Sequence, residues 1–236
     1  MKKIKSLKEY GYILRLKALY LPRNIGKMMI NESISFFQNI SEETQEAKSR
    51  LTYSFYLAIC GQLDEAKNEL MIAKNILKLS HASMHIIEVN MSAIRLLSNE
   101  TDNSILEGLK RAEYTSLTAF DKLAVLNNKL VYCILKEDKN MISSIEEKIL
   151  RLFEKENDKH IKAFMYYNLY YYYKFIEENE EKSMIYYNKA FKLRKHCKTL
   201  EARLANRNNI EDGTEFLLTR PFHVCFLSFW RFDPFF

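Results

Sequence analysis

Residues able to do chemistry are sparse along this 236-residue chain. His81 and His85 stand four apart, so a helix puts both imidazoles on one face, a spacing that zinc sites use. No Glu follows His81 and no third ligand is near, which leaves an ordinary helix surface as the simpler reading. His223 and Cys225 form an unspecific pair. Gly11, Gly26, Gly61, Gly108 and Gly213 are isolated from one another, so no glycine-rich loop can cradle a phosphate. No serine or cysteine sits in a nucleophile motif, and Glu177, Glu178, Glu180 and Glu181 read as a solvated turn. The expectation is a protein that is not an enzyme, with no catalytic residue, metal site or cofactor.

Amides and aromatics are the better candidates. Asn90, Asn128 and Asn168 recur at nearly even intervals along the chain. An asparagine amide has one acceptor oxygen and two donor hydrogens, so it can bond both the N–H and the C=O of an extended peptide without demanding one sequence. Tyrosine is concentrated nearby, with eight of fifteen between Tyr166 and Tyr187. Tyr166, Tyr170 and Tyr173 have core spacing, whereas Tyr167 and Tyr171 lie four apart on another face, beside Asn168 and Lys174. A further set is the stretch Phe216 to Phe236, with eight aromatics that include the only tryptophan. Within it Phe222, Phe226, Phe229 and Trp230 are candidate partner-docking residues. Arg220, His223, Arg231, Asp233 and two prolines make a membrane span there too costly.

The elements that must position these residues are helices. Five glycines and three prolines are too few for the turn signals of a strand-rich fold, and 47% apolar with 28% charged residues fits a folded chain. The net charge of +6 is uneven: residues 1–30 carry +7, residues 191–208 carry +5, and the rest −6. Both basic stretches read more simply as solvated helix faces than as a nucleic-acid surface. Cys60, Cys133, Cys197 and Cys225 are dispersed, which fits reduced thiols in a cytoplasmic protein, and the first residues do not form a signal peptide.

Internal repeats organise the chain. Tyr53, Ser54, Leu57, Gly61, Leu63, Ala66, Leu70 and Ala73 form one unit. A second has Tyr166, Leu169, Tyr170 and Tyr173, then Ser183, Tyr187 and Ala190. Two weaker units lie between: Val89, Ala93 and Leu96 with Ile105, Leu109 and Ala112, then Leu123, Leu126, Leu130 and Ile134 with Ile142, Ile145, Ile149 and Leu152. Equivalent positions Ala66, Ile105, Ile142 and Ser183 are 39, 37 and 41 apart. Upstream, Leu7–Tyr20 and Ile25–Ile40 make a fifth pair, and Ser41 is placed as the N-cap of the next helix.

This pattern of large and small residues around a glycine turn resembles the tetratricopeptide repeat, in degenerate units longer than the standard one. The resemblance implies an all-α fold, a right-handed α-solenoid of about five antiparallel helix hairpins over residues 1–212, with a non-repeat aromatic tail over 213–236 that serves as cap or docking segment. It also implies that the first helix of each unit lines a concave groove. Asn90, Asn128, Asn168, Tyr167 and Tyr171 would then be peptide-binding residues, in the manner of peptide-binding members such as bacterial pheromone receptors. The expected function is a protein- or peptide-binding scaffold or sensor. The alternatives are a sensor subunit of a regulatory or defence assembly whose catalytic part is another chain, and a pheromone-type regulator lacking its own DNA-binding domain. The expected partner is a protein or peptide, not nucleic acid or membrane, and self-association is left open.

Overall fold

A computed structural model describes residues 2–18, 21, 23–77, 81–116 and 118–194. The described residues form ten helices and no strand: α1 (Lys2–Ala18), α2 (Arg23–Asn39), α3 (Glu43–Ile59), α4 (Leu63–Ile76), α5 (His81–Leu97), α6 (Asn103–Thr115), α7 (Ala119–Lys136), α8 (Lys139–Phe153), α9 (Lys159–Phe175) and α10 (Glu180–Arg194). The chain is therefore all-α. None of the described helices is long and apolar enough to cross a membrane.

Each odd-numbered helix packs against the even-numbered helix that follows it, giving five pairs. The two kinds of helix bury different amounts of surface. An even-numbered helix buries one narrow stripe: Ala66, Leu70 and Ala73 on α4, Ile105, Gly108, Leu109 and Ala112 on α6, Ile142, Ile145, Ile149 and Phe153 on α8. These fall at helical spacing on one face, as expected where a helix has protein on one side and water on the other. The odd-numbered helices α3, α5, α7 and α9 are buried over most of their circumference and touch one another in that order. They form a continuous inner row, and α4 and α6 also lie against the odd-numbered helix that follows each of them.

The turns inside the pairs repeat in backbone geometry more closely than in sequence. Gly61, Asn99, Glu137 and Glu178, just after α3, α5, α7 and α9, all have positive φ, between 55° and 78°. At the first three, paired main-chain bonds close the helix end: Gly61 N–H to Ala58 O and Gln62 N–H to Leu57 O, Asn99 to Leu96 and Glu100 to Arg95, Glu137 to Ile134 and Asp138 to Cys133. This arrangement satisfies the last carbonyls of a helix and needs one left-handed residue. The left-handed positions thus recur at nearly the same interval as the helix pairs. Only Gly61 is free of the penalty that a Cβ meets there; Asn tolerates it, and Glu137 and Glu178 bear it.

Three sequence expectations are corrected. Ser41 is not an N-cap. It takes the left-handed conformation at φ 56° and closes the end of α2, with its N–H donating to Gln38 O and that of Glu42 to Phe37 O. On α10 the buried stripe is Ser183, Tyr186 and Ala190, so Tyr186 takes the buried position and Tyr187, against Tyr170 at the edge of α9, is 40% exposed. The turn from α9 to α10, residues 176–179, is one residue longer than that from α3 to α4, residues 60–62, and the buried position falls one residue earlier than the sequence spacing suggests. On α8 the last buried position is Phe153, with Leu152 half-buried.

Charged groups tie the pairs together at their surface. Glu100 accepts from Lys67 on α4 and Arg95 on α5. Burial raises the Glu100 pKa, but the two hydrogen bonds and the two positive charges outweigh that and hold it below the usual carboxylate value. A carboxylate held low adds stability above its unfolded pKa and loses that contribution as pH falls through the folded one. Glu100→Gln is expected to cost about 0.5–1 kcal/mol near neutral pH, with the difference from the parent vanishing in acid, measured by urea titration. Glu137→Gly and Glu178→Gly are expected each to raise stability by about 1 kcal/mol, because glycine removes the left-handed strain.

Candidate functional site

The inner row buries all three spaced asparagines and links two of them by hydrogen bonds. Asn90 on α5, Asn128 on α7 and Asn168 on α9 are each 0% exposed, and so is Asn127. Asn168 Nδ2 donates to Asn127 Oδ1 at 2.8 Å, Asn127 Nδ2 to Asn128 Oδ1 at 3.4 Å, and Asn128 Nδ2 to the main-chain oxygen of Val89 at 3.3 Å. The bonds run from α9 through α7 to α5. None of the four asparagines is free of partners. The even spacing in sequence has become a row of amides at the seam of three helices, in the interior and not on an open surface.

The surroundings explain why these amides must be satisfied. α7 buries every residue from Leu123 to Ile134, and the side chains around the asparagines on that helix are Leu, Val and Ala together with Lys129, which pairs with Glu113. A buried amide without a partner costs about 1–3 kcal/mol, whereas a well-made bond contributes about 1 kcal/mol net. The row therefore admits few alternative registers between α5, α7 and α9. Asn127 was missed from sequence because it does not fall on the repeat spacing. Its signal was the Asn127-Asn128 pair inside an apolar run.

Other buried polar groups of the inner row include His85 and Asp121. His85 is buried, not on a helix surface, and its Nε2 lies 3.7 Å from Asp121 Oδ2. Asp121 is occupied by capping: the Thr118 N–H donates to its Oδ2 and its own N–H donates to Thr118 Oγ1. This reciprocal pair satisfies two donors at the start of α7. No group of three or more His, Cys, Asp or Glu able to hold a metal occurs among the described residues. Neither Cys60 nor Cys133 is in a disulfide. Burial, and secondarily the Asp138 charge, pushes the Cys133 thiol up to about 12.

The tyrosines divide into two sets. Tyr173 and Tyr186 stack at 5.6 Å, Tyr186 and Tyr166 stack at 5.8 Å, and Tyr166 meets Phe153 edge-on at 5.0 Å. The hydroxyls of Tyr173 and Tyr186 both donate to Glu146 on α8. Lys182 lies over Tyr173, and Lys189 over Tyr166 and Tyr186. This column fastens α10 and α9 to α8. Tyr167 and Tyr171 are half-buried and belong to the other set, with Tyr167 against Tyr170 at 5.5 Å and Tyr171 against Phe175 at 4.9 Å. That set continues through Tyr187 to Phe191 on α10 and reaches the surface, where Phe175 is 56% exposed. Lys174 stands over Tyr170 and Phe175. The structure thus separates the asparagine row from the tyrosine surface. Phe222, Phe226, Phe229 and Trp230 lie outside the described residues.

No family model matches the sequence, and no curated protein does.

Two outcomes follow from this geometry. Asn128→Ala leaves the Val89 carbonyl and the Asn127 amide short of a partner and is expected to cost about 1–3 kcal/mol by urea denaturation. Tyr172, Tyr173 and Tyr186 all have raised pKa values, first through burial and then through the carboxylates they donate to; Tyr172 is pushed up to about 12. Tyrosines held protonated by the fold contribute stability that is complete below the unfolded value of 10.0 and is lost as pH rises through the folded ones. Stability should fall steadily above about pH 10, and Glu146→Gln should weaken that dependence.

Proposed function

We propose that the chain is a protein- or peptide-binding scaffold of the tetratricopeptide kind, a right-handed α-solenoid that holds an extended segment along its inner row of helices. The observation that carries the reading is the amide row: one asparagine on the first helix of each of three successive pairs, Asn90 on α5, Asn128 on α7 and Asn168 on α9, in a layer that is otherwise largely apolar. A core needs no such amides for cohesion, because apolar residues of similar size fill space without demanding partners. Amides at a repeat interval suit a ligand that itself repeats, and a polypeptide main chain is such a ligand. The left-handed turns recurring after α3, α5, α7 and α9 support the repeat assignment. Tyr167 and Tyr171 add contact area at the rim of α9, with hydroxyls that can hydrogen-bond.

A second reading is a sensor subunit of a larger assembly whose catalytic part is another chain. The tyrosine surface of α9 and α10 favours it, since Phe175, Ile185, Tyr187 and Phe191 are all at least 40% exposed. The two readings share one scaffold and differ in which face meets the partner.

The test is affinity capture from native lysate followed by mass spectrometry, with the parent chain, an Asn90→Ala, Asn128→Ala, Asn168→Ala triple variant and a Tyr187→Ser variant. Helix content is checked by circular dichroism. A ligand held by the amide row is expected to be lost at least tenfold from the triple variant and retained by Tyr187→Ser. Equal capture by a folded triple variant would sink the amide reading, and selective loss from Tyr187→Ser would point to the subunit reading.

A further inference from the structure

Helix α10 carries an apolar stripe beyond the one it buries. Ser183, Tyr186 and Ala190 are its buried positions, with Tyr186 stacked on Tyr166 and Tyr173 of α9. The second stripe is Met184, Tyr187 and Phe191, which are 44%, 40% and 50% exposed. Glu180 falls on the same face, so the spacing runs four, three, four. That is the seam period along which two helices pack knobs into holes. Tyr187 stacks on Phe191 and meets Tyr170 of α9. Phe175 also meets Tyr170 edge-on and extends the exposed surface onto the end of α9.

Helices α4 and α6 show what belongs on this face. Each packs on the odd-numbered helix before it and on the one that follows. Four residues after Ala66 and Ile105, the first buried positions of their stripes, stand Leu70 and Leu109, both 0% exposed. The same step from Ser183 reaches Tyr187. Among the described helices none follows α10, and Tyr187 is left open. A contiguous apolar patch of this kind marks a contact surface.

Charge along the helix indicates the occupant. α10 opens on Glu180 and Glu181 and closes on Lys192 and Arg194. Glu181 and Lys192 are exposed and lie on one flank of the apolar stripe, about three turns apart. We propose that this face is a self-association surface: a second copy of the chain lays its own α10 antiparallel across it, about a two-fold axis beside Tyr187. Met184 of each helix then lies next to Phe191 of the other, and Glu181 next to the other's Lys192. Both pairs are centred beside Tyr187 in the sequence, so one axis serves them. A parallel pair would set like charges together, whereas the antiparallel one also places each helix start beside an end of opposite dipole. Four half-exposed side chains and their charged flanks bury on the order of 1,000 Å² across both copies, the small end of specific interfaces, so the dimer is reversible. Two-fold pairing closes at two copies. This surface is separate from the amide row and does not rest on the binding reading above.

Sedimentation velocity of the purified full-length chain over a concentration series tests the proposal. The expected result is a monomer that converts to a dimer and goes no further. Tyr187→Ser, with helix content unchanged by circular dichroism, should raise the dissociation constant at least tenfold. Glu181→Lys and Lys192→Glu should each raise it several-fold, with the loss smaller at high salt. An equimolar mixture of those two variants should regain parent-like pairing, because each copy then offers the charge that the other lacks. A parent that stays monomeric at every concentration overturns the proposal. So does mass that grows past the dimer, which is head-to-tail association, or a mixture that pairs no better than either charge variant alone. A monomeric parent that loses a lysate protein on Tyr187→Ser also overturns it and gives the surface to a different chain. In every case the amide reading is judged separately, by its own triple variant.

Discussion

Unpaired amides cannot be left in an apolar interior, and the arrangement of the inner helices depends on that constraint. Asn168, Asn127 and Asn128 pass a chain of hydrogen bonds from α9 through α7 to the Val89 carbonyl of α5. Sliding one inner helix by a turn, about 5.4 Å, would break these bonds and strand several polar groups at once. Apolar contacts among Leu, Ile and Val are tolerant of such slips. The amides are not, so they fix the stacking that the apolar residues stabilise. The outer helices then need only one stripe each, and α4, α6 and α8 supply it.

The same division explains where charge and aromaticity sit. Ion pairs cross from outer to inner helices near the surface, as with Glu100 between Lys67 and Arg95 and with Arg50 between Glu46 and Glu69. At α8, α9 and α10 the tyrosine column and Glu146 fasten one pair to the next. The tyrosines on the other side of α9 open onto solvent through Phe175, Tyr187 and Phe191.

Much of this fold was legible in the sequence because helix pairs leave periodic traces. Ala66, Leu70 and Ala73 were placed on the buried stripe of α4, as were Ile105, Leu109 and Ala112 on α6, and the structure has them there. Gly61 announced its turn by being the one residue free to take positive φ without cost. Glu137 and Glu178 hid theirs, since nothing about a glutamate signals a left-handed conformation. The Tyr186 and Tyr187 exchange has the same origin: a turn of unmarked geometry leaves the register of the next helix undetermined by one residue. The asparagine spacing was visible, but its burial was not, because a polar residue on an amphipathic pattern reads as surface until its partners are known. Asn127 is the clearest case, with its significance set by Asn168, a full helix pair further along the chain.

Long-range contacts from the asparagine side-chain amides in the folded, full-length protein bear most directly on the claim that the row is a seat for extended polypeptide. In nuclear magnetic resonance spectra of selectively labelled protein bound to a peptide recovered by affinity capture, the side-chain amide protons of Asn90, Asn128 and Asn168 should show Overhauser contacts to the peptide's main-chain protons, in a sequential order matching an extended strand. Contacts confined to α5, α7 and α9 would contradict the account and reduce the row to a device for holding helices in register.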